Sequence, residues 1–314
     1  MTERYRTQAF APELCRLENM PPAGPEWVHE TKWDGYRIVA TVAYGTVRLW
    51  SRNGIEWTHK VPELAAAVAS LGTRSAKFDG EMIVLHGKRD DFGALQRRLS
   101  AENAQPATYM LFDMPYLDGK SLTELPLVDR KQALEDLLAR HPHPLLRYSV
   151  HEIGNGARAL ARATRAGFEG IVSKRAQSPY RYGARNGDWV KVKDRPSDEF
   201  VVIGYTPPKG SRAGFGALLL AKPQDGRLVY IGRVGTGFTN AQLVALRKRL
   251  GAAKVSDPPA DIHLVGAKDR AVSTWTKPEF VVEVYHQGIG TLGLLRQPAF
   301  KAMRLDKKPR DLGK

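Results

Sequence analysis

The sequence predicts an α+β chain of two domains, a sheet-and-helix domain over residues 1–197 followed by a small β-barrel over 198–314. Three observations predict it. A length of 314 residues is enough for two hydrophobic cores. Up to about residue 197, short β runs broken by turn residues alternate with helix-patterned segments. Beyond "KVKDRPSDE" the texture changes to short strands separated by Gly- and Pro-bearing turns, with one helix among them.

The first thirty residues, rich in Pro and polar groups, read as a mostly irregular arm. "HETKWDGYRIVA" (29–40) reads as strand, turn and strand, with Asp34-Gly35 reversing the chain. "YRIVATVA" and "TVRLWSR" flank "YG" as a hairpin. "VPELAAAVASLG" (61–72) is an amphipathic helix stopped by Gly72. "KFDGEMIVL" reads as a strand, "DFGALQRRLS" as a helix and "ATYMLFDMPYLDG" as a strand again. The clearest helix is "LVDRKQALEDLLARH" (127–141), whose apolar residues recur at helical spacing, and "GARALARATRAG" is another, ended by Gly167. The second domain offers "FVVIGYT", "ALLLAK", "LVYIGRVG" and "EFVVEVYH" as strands, with "NAQLVALRKRL" as the helix inserted among them. Five or so strands with one inserted helix point to an OB-fold barrel.

Lys plus Arg total 48 against 33 acidic residues, a net charge of +15. An excess of that size favours a polyanionic partner, because each neutralised phosphate releases condensed counterions. A basic surface kept for solubility gives the same number, so charge alone does not decide. The single cysteine, Cys15, excludes a disulfide framework and a multi-cysteine zinc site, and fits a reducing cytoplasm. The N-terminal "MTERYRTQAFAPEL" lacks a signal peptide's apolar core, and no apolar run approaches the ~20 residues that span a bilayer. A cytoplasmic chain with no membrane partner is expected.

Some motif-like strings carry nothing. "DGKS" (118–121) ends like a P-loop, but Met114 stands where the first glycine is required. "GRVGTGFT" sits among barrel strands, "HPHP" has no further metal ligands nearby, and "HEIGNG" lacks a zincin's second histidine.

Other stretches are harder to dismiss together. In "ETKWDGYR", Glu30 and Lys32 are two apart and share a strand face, with Arg37 brought back beside them by the turn. Arg52 follows a strand end in "SRNG". Asp79 and Glu81 share a face in "FDGEMIVL", a costly pairing unless a cation or ribose hydroxyls meet it. Phe112 lies in "YMLFDMPY", Glu169 leads the strand of "GFEGIVSKR", and Lys191 and Lys193 share a face in "SPYRYGARNGDWVKVK". Singly, each has a plainer reading as a wet strand face, a core aromatic or a surface carboxylate. Independent surface residues have no reason to occur jointly, in this order, on the strands of one domain.

In that order they resemble the motifs of the covalent nucleotidyltransferase superfamily, which holds ATP-dependent DNA ligases, RNA ligases and mRNA capping enzymes. Its K-x-D-G core is "KWDG" here, and its final R-x-D-K motif is "RLDK" (Arg304 to Lys307). "EGIVSKR", "SPYRYGARNGDWVKVK" and "LRQPAFKAMRLDKKP" look most like bacterial ATP-dependent DNA ligases of the LigD and LigC type. The likeness runs from Pro21 to about Pro309; Ala184 and Asn186 stand where relatives often carry Arg and Ser. The implied first domain is a nucleotidyltransferase (adenylation) domain of ATP-grasp-like antiparallel sheets with flanking helices.

The resemblance implies a mechanism and residue roles. Lys32 attacks the α-phosphate of ATP to give lysyl-AMP, AMP passes to the 5′-phosphate of a nick, and the 3′-hydroxyl then displaces it. A free lysine has pKa ~10.4, so its neutral form near pH 7 costs roughly 4 kcal/mol. One cation at ~4 Å supplies up to about 4 kcal/mol at an effective dielectric of 20, and Lys191, Lys193, Arg37 and a bound metal are placed to do so. By motif position, Glu30 accepts from the adenine amino group, Phe112 stacks on the base and Glu81 meets the ribose. Glu81 and Glu169 suit a divalent metal, Mg2+ or Mn2+, and Arg37, Arg52 and Arg185 suit ribose, phosphate or the DNA end. Arg304, Asp306 and Lys307 orient pyrophosphate in the first step only, which calls for a mobile second domain hinged near residues 194–199. The implied partner is nicked or broken double-stranded DNA, with a Ku-type end-binding protein alongside a monomeric, nucleoid-associated chain acting in repair and end joining. An RNA ligase or an RNA-capping guanylyltransferase shares the K-x-D-G chemistry, and a non-enzymatic basic OB-fold nucleic-acid-binding protein is a further alternative. An NAD-dependent ligase needs domains and cysteines absent here.

Overall fold

Residues 23–31 form a nine-residue strand, whose first residues lie where the sequence reading expected a mostly irregular arm. Pro25 is tolerated because the strand's pairing jumps from Val28↔Ile153 to Gly24↔Gly154 around it, so its missing N–H costs no ladder bond. Tertiary pairing on both edges outweighs the local composition.

The computed structural model describes residues 7–100 and 105–312; residues 1–6 of the N-terminal stretch read above lie outside that range. Two units divide the chain, Met1–Asp194 and Arg195–Lys314. In chain order the first contains β1 (Arg16–Leu17), β2 (Ala23–Thr31), β3 (Tyr36–Ala43), β4 (Thr46–Ser51), α1 (Pro62–Ala69) and β5 (Ser75–Ile83). There follow β6 (Leu85–His86), β7 (Arg89–Asp90), α2 (Phe92–Leu99), β8 (Thr108–Leu117), β9 (Lys120–Ser121) and α3 (Leu127–Arg140). The unit ends with β10 (Leu146–Tyr148), β11 (His151–Asn155), α4 (Gly156–Arg165), β12 (Gly170–Arg175) and β13 (Trp189–Lys193).

One sheet runs β1-β13-β12-β2-β11 and the other β10-β8-β5-β3-β4, with β9 added to β8. The expected antiparallel arrangement holds except at two edges, where β1 joins β13 and β10 joins β8 in parallel.

"KWDG" is therefore not a hairpin turn. The strands before and after it, β2 and β3, belong to different sheets, and residues 32–35 carry the chain from one to the other. Gly35 is required by close approach: a Cβ there would lie 2.0 Å from the Met82 carbonyl oxygen of β5.

The second unit contains β14 (Ser197–Tyr205), β15 (Leu218–Gln224), β16 (Arg227–Val234), α5 (Asn240–Ala252), β17 (Lys254–Val255), α6 (Ala267–Val272), β18 (Thr274–Tyr285) and β19 (Ala299–Met303). Their order is β16-β15-β14-β18-β17, with β19 also on β18. Backbone bonds from Phe300 to Thr236 and from Leu295 to Ile231, each 2.8 Å, return the chain around β19 to β16 and curl the sheet into the OB-fold barrel. Helix α5 starts at a Thr239–Gln242 capping box and buries Leu243, Leu246 and Leu250 against Phe200, Val202 and Phe300. Helix α6 was not anticipated; its six residues carry no buried side chain to mark a periodicity.

Candidate active site

Backbone register brings the site together. Glu30, Val172 and Lys191 stand in one row across β2, β12 and β13. In the next row of the same face Gly170 stands opposite Lys193, and the Lys32 backbone N–H donates to the Gly170 carbonyl at 3.0 Å. Gly170 has φ +150°, and a Cβ there would lie 2.0 Å from the Val192 carbonyl oxygen. Only glycine fits, and it leaves a notch between Lys32 and Lys193.

Glu169, the residue before that glycine, fills the notch. Its carboxylate pairs with the Lys32 ammonium through one oxygen and faces Lys193 at 3.6 Å through the other. Lys191 is half-buried, and its pKa is lowered to about 8 by burial, helped by the charges of Lys32, Lys193 and Arg52 and opposed by Cys15. The Lys191 ammonium thus stands among the like charges of Lys32, Lys193 and Arg52.

Glu30 is buried at 3 % exposure and held by two lysines that sequence reasoning missed. Lys131 of α3 lies 2.7 Å from one oxygen, and Lys174 of β12 lies 3.0 Å from both. Burial alone would raise the Glu30 pKa, but the two ammonium groups override it and hold the carboxyl below its ordinary value. The Lys174 ammonium sits 4.2 Å from the Phe112 ring centre and 4.1 Å from that of Trp189. The signal for Lys131 was present: positions 127, 130, 131, 134 and 138 form the apolar stripe of α3, and two of them are cations. Its neighbour Arg130 is likewise buried and forked onto Asp113, both bonds at 2.8 Å.

Arg37 forks onto Asp79 through two 2.6 Å bonds, and Tyr180 donates to the same carboxylate at 2.6 Å. The cation that the Asp79–Glu81 face required is thus Arg37 itself. The Arg37 charge is met by Asp79. Phe112 is 7 % exposed, with Arg37 4.6 Å from its ring centre and Lys174 over the ring as well. Glu81 is half-buried on β5, level with Arg37 and Met110. Arg52 follows β4, its backbone N–H on the Arg37 carbonyl at 3.1 Å. Arg185 is exposed, and its carbonyl accepts from Arg16 at 3.1 Å.

In the second unit, Arg304 forks onto Asp306 at 2.9 and 2.7 Å and reaches Glu199 at 2.6 Å. Lys307 meets both oxygens of Glu199 at 2.5 Å. Burial opposes the Asp306 charge, yet Arg304 holds its carboxyl below the usual range.

No group of three or more His, Cys, Asp or Glu among the described residues could hold a metal ion. Glu169, with cations against it, suits the mode in which one carboxylate shares a divalent ion with substrate phosphates.

Two family models match the chain: residues 16–193 match the ATP dependent DNA ligase domain, and 211–307 match the ATP dependent DNA ligase C terminal region. The chain belongs to the ATP-dependent DNA ligase family. The chain is 39% identical over 307 residues to the multifunctional non-homologous end joining protein LigD of Pseudomonas aeruginosa, covering 96% of the chain and 36% of that relative. It is 35% identical over 291 residues to the Mycobacterium tuberculosis LigD DNA repair protein, covering 91% of the chain and 37% of the relative. The chain thus spans a little over a third of the length of these two relatives. Among solved structures it resembles mycobacterial DNA ligase D complexed with ATP and MES, with a TM-score of 0.74, 32% identity and coverage of 97% of this chain and 98% of that one.

Proposed function

We propose that this ligase chain seals 3′-hydroxyl/5′-phosphate nicks in duplex DNA with ATP, residues 1–197 carrying adenylation and 198–314 the OB-fold domain. The observation that carries the reading is the Lys32–Glu169–Lys193 row set in register around Gly170. Lys32 gives up one proton to solvent as it leaves Glu169, its neutral amine forms the N–P bond to the α-phosphorus as the bond to pyrophosphate breaks, and the second amine proton is then lost to solvent. Lys191 and Lys193 offset the charge developing on the phosphate oxygens. Glu30, held ionised by Lys131 and Lys174, accepts from the adenine amino group. The base stacks on Phe112 once a cation over that ring moves aside, and Arg37, Arg52 and Arg185 serve ribose, phosphate or DNA end. Arg304, Asp306 and Lys307 act on pyrophosphate in the first step alone. Glu169 and Glu81 would hold a Mg2+ or Mn2+ ion, which would supply charge neutralisation.

No helix among the described residues is long and apolar enough to cross a membrane. We place the chain in the bacterial cytoplasm, on the nucleoid, as a monomer in DNA repair and end joining. The relatives' part in end joining supports a Ku-type end-binding partner.

Nicked duplexes with 3′-deoxy and 3′-ribo ends test the reading. Both should be sealed with ATP, and failure on either DNA nick while RNA is joined overturns it.

A further inference from the structure

The RLDK cations are not loose on the barrel surface. Glu199 of β14 and Glu283 of β18 stand directly opposite each other in the antiparallel ladder, where like charges are unfavourable. With Asp306 they make three carboxylates, and Lys301, Arg304 and Lys307 supply three cations to match. Glu283 is the inner of the opposed pair, bonded by Ser197 at 2.7 Å and Lys301 at 3.2 Å, and only 3.5 Å from Arg304. Glu199 is the outer one, its side chain 20 % exposed. It takes Arg304 at 2.6 Å and, through both oxygens, Lys307 at 2.5 Å. Asp306 fixes the Arg304 guanidinium through one edge only. Among the bonds described, Glu199 is the group that ties Arg304 to Lys307 and so sets the spacing between them.

We propose that Glu199 is a positioning residue for the adenylation step, aligning Arg304 and Lys307 as a preformed pair for the pyrophosphate end of ATP. The inference rests on the ligase reading above and adds a residue outside its motifs. Two flexible cations held by one carboxylate lose little conformational freedom on meeting a polyphosphate, whereas untethered ones must be ordered at that moment. Glutamine keeps the shape of Glu199 but loses two charge-assisted attachments, each contributing more than a neutral bond.

The test compares wild type, Glu199→Gln and Glu199→Asp in two reactions, lysyl-AMP formation from ATP and sealing of a nick already carrying 5′-adenylate. In Glu199→Gln, lysyl-AMP formation should fall roughly ten- to hundred-fold, with KM for ATP raised. Sealing of the adenylated nick should stay within about two-fold and the melting temperature near wild type. Glu199→Asp should recover part of the first reaction. Equal loss in both reactions, or no loss in the first, overturns the proposal. A wild-type chain that takes no label from ATP would instead overturn the ligase reading itself.

Discussion

The Lys32 ammonium is seated against the Glu169 carboxylate, whose other oxygen faces Lys193 at 3.6 Å. On the proposed reading the nucleophile is stored as an ion pair, and its attack on a phosphate requires that pair to part. In the proposed reaction Glu169 releases Lys32 and would hold a divalent ion that supplies charge neutralisation. Glu169→Gln should therefore lower single-turnover lysyl-AMP formation at least about ten-fold, because the glutamine cannot share a divalent ion with the phosphates. An unchanged rate would remove Glu169 from the chemistry.

Lys191 supplies a pH dependence. With its pKa lowered to about 8, it is charged below that pH and neutral above it. Phosphate binding draws on the charged form, so KM for ATP should stay flat below about pH 8 and rise above it. Lys191→Arg should keep the profile flat to higher pH. A wild-type rise centred well away from pH 8 would count against Lys191 as the phosphate-facing cation.

Glu13 provides a stability test independent of catalysis. It is fully buried, one carboxyl oxygen lacks a hydrogen-bond partner, and burial raises its pKa to about 7. Between its ordinary value of 4.5 and about 7 the folded state binds the extra proton, so stability falls as pH rises through that window. Glu13→Gln, which can still accept from the Arg181 N–H, should match wild type near pH 4.5 and exceed it at pH 8 by up to about 3 kcal/mol in urea unfolding. A difference independent of pH would contradict this.

The Lys131–Glu30–Lys174 cluster predicts a different cost. Lys174→Met leaves Glu30 buried with one ammonium partner and should destabilise the chain by about 3 kcal/mol. A fall in the urea midpoint at constant m-value checks it. A loss under about 0.5 kcal/mol would mean the cluster relaxes without Lys174.

Much of the architecture was legible because its elements carry local signals. Helix α3 has its apolar stripe, the hairpin of β3 and β4 its two β-forming runs flanking Tyr44-Gly45, and the barrel its run of short strands. The strand β2 was hidden, since Gly24 and Pro25 argue against a strand that pairing on both edges enforces. "KWDG" looked like a turn because Asp-Gly usually is one; the demand on Gly35 comes from Met82, which is distant in sequence. The ordered motifs named Lys32, Glu169 and Lys193, which register then brought together. Lys131 was legible only as a cation within the buried stripe of α3, whereas Lys174 and Glu199 were not legible: each acts through a partner supplied by another part of the chain, and no spacing encodes those pairings.

The most direct measurement is covalent labelling with α-phosphate-labelled ATP and GTP, followed by mapping of the labelled peptide. The account predicts label from ATP, on Lys32, lost in Lys32→Ala and chased onto a nicked DNA strand. Label from GTP alone, or from ATP on any residue but Lys32, would contradict it.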